Sequence, residues 1–163
     1  MARQARHSGR ALRETRQCAN PRGEDLIINN YTFEPMLPSV DDYCALRDAV
    51  HWWNVSREAT ERALKNSLFA VCVWHEGQMI GHGRVVGDGS IVFYIQDVIV
   101  HPAHQGKGIG TQIMEMIMRY VRSQATTGTY VGLMSAERAV ALYEKFGFTK
   151  RPDNMPGMGM HIP

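Results

Sequence analysis

Cysteine is scarce in this chain. Cys18, Cys44 and Cys72 are widely separated and odd in number. That pattern excludes a disulfide frame and paired-cysteine zinc spacing, and it suits a reducing, cytoplasmic setting. Long apolar runs are missing as well. No segment approaches the roughly 18 consecutive apolar residues of a membrane span, so no membrane partner is expected. Net charge is small: 18 Lys and Arg against 16 Asp and Glu leave +2. Such a balance does not announce nucleic acid, and none is expected as a partner. Internal repeats are absent, which excludes solenoids and arrays. Two familiar phosphate-binding motifs are also absent. A P-loop needs Gly-Lys followed by Ser or Thr, whereas Lys107 is followed by Gly108. A dinucleotide fingerprint needs G-x-G-x-x-G, and from Gly106 or Gly108 the last position is Thr111 or Ile113.

What is present is an ordinary globular composition, 44% apolar and 21% charged over 163 residues, enough for one domain with a real core. Residues 1–24 carry Arg3, Arg6, Arg10, Arg13, Arg16 and Arg22 without apolar periodicity, and read as a basic, disordered N-terminal tail. A targeting arm or a contact with an anionic partner is the functional alternative. Residues 25–163 form the single domain. Leu26–Phe33 reads as a first strand, stopped by Pro35 and Pro38. Ser39 caps a helix over Asp41–His51, and Ser56 caps another to about Asn66, with Trp52-Trp53-Asn54 as the break. Leu68–Trp74, Met79–Val86 and Ile91–Val100 are strands joined by short glycine turns, hence antiparallel. A helix follows, with Ile109, Ile113, Ile117 and Val121 on its apolar face. Tyr130–Met134 is a further strand, parallel to Ile91–Val100 because a helix intervenes. Ala136–Phe146 is the last helix, ended by Gly147, with short strands from Phe148 and over Met158–Ile162. The order β-α-α-β-β-β-α-β-α-β-β predicts an α/β fold, a mixed and mostly antiparallel sheet with helices on both faces.

The richest stretch is Gln105-Gly106-Lys107-Gly108-Ile109-Gly110-Thr111, between the strand ending at Val100 and the next helix. Glycines remove Cβ atoms where backbone must come close to a ligand. Unpaired N–H groups and the helix dipole make the turn an anion site, suited to phosphate or pyrophosphate. Lys107 adds a positive charge.

At Gln105–Gly110 the chain resembles the GCN5-related N-acetyltransferase (GNAT) superfamily, whose [Q/R]-x-x-G-x-[G/A] signature grips the pyrophosphate of acetyl coenzyme A. Leu142-Tyr143-Glu144-Lys145-Phe146-Gly147-Phe148 is similar to the family's late L-Y-x-x-x-G-F segment. The resemblance spans about residues 26–162 and is of the bacterial small-molecule type. It implies an acetyl-CoA-dependent enzyme that acetylates a primary amine of a small molecule by direct transfer. An arylalkylamine, a polyamine and an amino sugar are the acceptor classes it leaves open, and dimers are common in the family. It further implies main-chain contacts from Val98, Ile99 and Val100 to the pantetheine arm, and pyrophosphate contacts from Gln105 to Thr111. Tyr143 would sit at the sulfur as an acid; as a residue on a helix face it equally suits the core. The family often has Asn at the position of Ala136, so Ser135 is left to make that contact. Trp52, Trp53 and Tyr43 lie where the family binds its acceptor and offer aromatic walls; packing is the plainer role for Trp53. A non-catalytic acyl-CoA sensor and an acetyltransferase of protein N-termini or lysines are the competing readings.

Two further residues stand out on chemistry. Asp97 falls in an apolar row with Ile91, Phe93, Ile95 and Ile99. Desolvation there raises a carboxyl pKa and suits a general base. The alternative is structural, with Asp97 accepting from His82 and Arg84 on the neighbouring strand. His82 is the second base and acceptor-contact candidate. His101 and His104 have no third ligand nearby, so no metal is expected.

Overall fold

Asn29 and Asn30 set the first turn of the chain. A computed structural model describes residues 25–162, and the basic tail expected over residues 1–24 lies outside them. Both asparagines have positive φ, 50° and 67°. Two consecutive left-handed residues make the tight hairpin turn that matches strand twist, and Asn tolerates that region best among non-glycine residues. The single strand expected from Leu26 to Phe33 is therefore two, β1 (Leu26–Ile28) and β2 (Tyr31–Glu34). Helices α1 (Val40–Ala49) and α2 (Arg57–Lys65) follow. The Ser39 hydroxyl accepts from Asp42 N–H and the Ser56 hydroxyl from Ala59 N–H, so both expected caps form.

Strands β3 (Phe69–His75), β4 (Gln78–Gly87) and β5 (Val92–Val100) make an antiparallel meander. Helix α3 (Ile109–Gln124) then crosses over to β6 (Tyr130–Leu133), which pairs with β5 in parallel. The sheet runs β1 to β6 in sequence order. Helix α3 covers one face and α1 the other, with α2 beside α1. The larger core lies under α3, where Phe33, Phe69, Val85 and Phe93 meet Ile113 and Ile117. A smaller one lies under α1, from Leu46, Cys72, Met79 and Ile99. Gly83 lets α3 close down on β4, because a Cβ there would stand 2.7 Å from the Ile113 side chain. Among the described residues no helix is long and apolar enough to cross a membrane.

Strand β5 departs from simple alternation. His82 faces Ile99 and Arg84 faces Gln96, so Asp97 and Val98 together oppose Gly83. Asp97 has φ 56°, the left-handed residue of a bulge. An extra residue flips the parity of everything after it. Phe93 and Ile95 belong to the α3 core, whereas Ile99 belongs to the α1 core and Val98 and Val100 return to the α3 side. The apolar row expected to hold Asp97 thus breaks at Asp97 itself.

The C-terminal region also differs from expectation. In place of one helix from Ala136 to Phe146 there is a 3₁₀ turn (Glu137–Ala139) and a short α4 (Val140–Glu144). Ala136 supplies no capping side chain. Gly147 does close the helix with φ 89°. Neither expected final strand forms, and residues 149–162 are exposed throughout. Pro152 and Pro156 remove ladder donors, and Gly157 and Gly159 weaken what remains. The tail instead folds back: His161 packs edge-on against Trp53 with ring centroids 5.0 Å apart.

Candidate active site

Strands β5 and β6 pair only from Val92 and Tyr130 to Ile95 and Leu133. Beyond that point they part, and an open cleft of about 900 Å³ occupies the gap. Residues 95–100 of β5 form one wall, and Ala139, Leu142 and Tyr143 form another. Arg47, Trp52 and Trp53 line it too, although they sit on the α1 side of the sheet. The cleft therefore passes through the sheet from one face to the other.

The free edge of β5 has a definite polarity. His101 N–H donates to Ile80 O at 2.7 Å, so by strand alternation Ile99 also turns its amide toward β4. Val98 and Val100 turn theirs to the open side. Ile99, expected to serve a ligand through its backbone, is committed to the sheet instead.

The glycine turn closes one end. Gly106 and Gly108 have φ 74° and 79°, and a Cβ at either would meet nothing within 4 Å. The first N–H of α3 to bond back is Gln112, to Gly108 O at 3.2 Å. Residues 108–111 therefore present N–H groups with no backbone partner. Gly106, Gly108, Ile109, Gly110 and Thr111 all line the cleft. This donor set fits a pyrophosphate. Gln105 lines the cleft but spends its amide on Val100 O at 2.9 Å, tying the turn to β5. Lys107 differs from expectation: its ammonium lies 3.4 Å from the Tyr31 hydroxyl, on the far side of the turn from the cleft.

Asp97 anchors the opposite end. Arg47 Nη1 donates to its Oδ1 at 2.8 Å, Arg84 Nε to its Oδ2 at 2.6 Å, and the Tyr43 hydroxyl to Oδ2 at 2.8 Å. Burial pushes this carboxyl up, but Arg84, Tyr43 and Arg47 together hold it below the usual carboxylate range. The expected upward shift is overturned, and with it the physical case for Asp97 as a proton acceptor. Tyr43 is buried in this network rather than walling the cleft, and burial followed by the Asp97 charge pushes its hydroxyl up to about 12. Arg47 was missed in the sequence. Its only signal is spacing, four residues after Tyr43 on one face of α1.

His82 is wholly buried and does not line the cleft, so it is neither base nor acceptor contact. Its Nδ1 lies 2.9 Å from Val71 O, its Nε2 has no partner among the described residues, and desolvation pushes its pKa down to about 4. Between pH 6.5, its ordinary value, and pH 4 the unfolded chain takes up a proton that the folded chain refuses. Stability then falls as pH drops through that window, by about 3 kcal/mol in all. Thermal melts over pH 4–7 should show this limb for the parent and a flatter one for His82→Gln.

Tyr143 is buried to 8% exposure, yet its hydroxyl makes no hydrogen bond among the described residues and it lines the cleft. Burial raises its pKa, so it holds its proton at neutral pH. Ser135 also lines the cleft, with its hydroxyl donating to Ala136 O at 2.8 Å. Trp52 and Trp53 line the α1 side, 37% and 64% exposed. His104, another residue the sequence did not single out for this cleft, lines it with Nδ1 3.0 Å from the Tyr31 hydroxyl. Among the described residues no three His, Cys, Asp or Glu side chains are placed to hold a metal ion.

Comparisons with known proteins point one way. The profile of the acetyltransferase (GNAT) family matches residues 32–148. A solved structure of a probable acetyltransferase from methicillin-resistant Staphylococcus aureus superposes with TM-score 0.77 at 38% identity, covering 81% of this chain and 99% of that one. An N-acetyltransferase, ycf52, from Porphyra purpurea is 30% identical over 139 residues, 83% of this chain and 76% of its own. A chloroplastic serotonin N-acetyltransferase 2 from Oryza sativa is 31% identical over 111 residues, 64% of this chain and 53% of its own.

Proposed function

The chain belongs to the GNAT acetyltransferase family, and from that premise we propose that it moves the acetyl group of acetyl-CoA to a primary amine of a small molecule. One observation carries the reading. The bare amides of residues 108–111 and the free edge of β5 open into the same cleft, which Tyr143 also lines. Acetyl-CoA supplies an acetyl group already activated as a thioester. The chain's own residues do the rest. The turn seats the two phosphates on backbone N–H groups. Val98 offers a main-chain donor and acceptor, and Val100 a donor, to an extended arm, as a missing strand would take them. One of these N–H groups can polarise a carbonyl held against it. Tyr143 keeps a proton on its hydroxyl, ready for a departing thiolate.

No side chain is assigned to take the proton from the amine. Asp97 is saturated by two guanidinium groups and a phenol, and His82 is sealed from the cleft. The acceptor then loses its proton to water, and the rate should rise with pH along the amine's own titration.

Release of free thiol from acetyl-CoA across a panel of amines tests the reading. Turnover with any small amine supports it; tight acetyl-CoA binding with no release from any amine would favour the sensor instead. Tyr143→Phe should lower kcat by about a hundredfold while leaving the Kd for acetyl-CoA nearly unchanged. An unaltered kcat would remove the acid role.

A further inference from the structure

The acceptor end of the cleft has an unusual charge balance. It is lined by Arg47, Val50, Trp52, Trp53, Asp97 and Ile99. Its single carboxylate, 5% exposed, is shared by two guanidinium groups 13% and 12% exposed. Tyr43 stays protonated and His82 stays neutral, so neither offsets the excess. One positive charge is thus left over beside the place where an amine must arrive. A cationic acceptor, a polyamine above all, meets repulsion there and finds no unpaired carboxylate among those residues.

Resting on the acetyl-transfer reading above, we propose that the acceptor amine carries an anionic group, a carboxylate or a phosphate, and that Arg47 is the residue that selects it. A guanidinium has five N–H donors. Arg47 uses three of them, on the Tyr43 hydroxyl, on Asp97 and on Trp53 O. Two are left without a partner among the described residues, on a side chain that lines the cleft. Its plane is held near the Tyr43 and Trp52 rings, each centroid 5.4 Å from Cζ. A guanidinium fixed in this way has little freedom left to lose when an oxyanion binds. An anionic group on the acceptor also brings the local charge to zero. The amine of the same molecule then approaches the thioester carbonyl with no net positive charge set against it. The exposed faces of Trp52 and Trp53 suit an apolar or aromatic body between the two ends.

Matched acceptors test this on the intact enzyme. Tryptophan against tryptamine and phenylalanine against phenethylamine isolate a carboxylate; O-phosphoethanolamine against ethanolamine isolates a phosphate. The anionic member of at least one pair should have a kcat/KM tenfold or more above its partner, mainly through KM. Which pair shows it distinguishes carboxylate from phosphate. Added salt should erode the advantage. In Arg47→Gln, where Asp97 keeps Arg84, the preference should collapse toward parity. Should that variant fail to fold, the matched-pair ratio and its salt dependence in the parent still decide. Members without the anionic group turning over as well or better would overturn the anion preference and leave acetyl transfer standing. Release from no amine, with acetyl-CoA bound, would overturn both.

Discussion

Gly108→Asp should raise the Kd for coenzyme A by about a hundredfold while leaving the fold intact. Gly108 is the N-cap of α3, with φ 79° and open space where a Cβ would stand. Aspartate is among the few residues that accept left-handed geometry, and it is a good N-cap, so α3 should persist. Both of these virtues work against the ligand. The new carboxylate accepts from the same N–H groups that a pyrophosphate needs, and it would set a like charge at contact range, on the order of 4 Å, against any phosphate those groups hold. Unit charges at that range repel by about 4 kcal/mol near a protein surface, and solvent at an open turn reduces this to about 3 kcal/mol. Titration calorimetry gives the Kd, and a melting curve shows whether the fold survived. An unchanged Kd in a folded variant would remove the pyrophosphate from this turn.

Asp97→Ala should produce the other large effect, on stability. Removing the carboxylate leaves the buried guanidinium groups of Arg47 and Arg84 facing one another without compensation. Breaking one side of such a cluster costs about 3–5 kcal/mol. Alanine at φ 56° adds about 1 kcal/mol more. For a chain of this length the melting midpoint should fall by roughly 10 °C or more. Asp97→Asn should fall between, because asparagine tolerates the bulge and still accepts a hydrogen bond. The result also separates two roles. A proton acceptor, once replaced, leaves a stable and slow enzyme; a charge anchor leaves an unstable one. A fully stable Asp97→Ala with collapsed kcat would restore the base assignment.

How far the sequence reached depends on whether the deciding interaction was local. Helix starts at Ser39 and Ser56 were legible because a cap is settled within three residues. So was the turn before α3, whose glycines act through their own backbone. The Asn29-Asn30 hairpin was missed although its signal was local, because the apolar pattern on both sides reads as one strand. The bulge was illegible. Alternation along β5 continues through Asp97 on paper, and only the pairing with β4 reveals two residues opposite Gly83. Everything inferred for Asp97 from its apolar row followed that error. Arg47 comes from a helix fifty positions earlier, so its claim on Asp97 is a fact of tertiary structure. The missing C-terminal strands show propensity losing to proline and glycine in residues 152–159.

An unsatisfied strand margin usually invites a neighbouring chain to zip on and aggregate. Here the margin from Gln96 to Val100 is recessed, walled by α4 and stoppered by the turn before α3. A whole polypeptide needs room for side chains on both faces of its backbone, so those walls hinder it. A single slender tether bearing amide groups asks for less. The geometry that would admit the proposed ligand thereby helps screen the protein from its own kind, and filling the slot should make the folded chain harder to pull apart as well as ready to react.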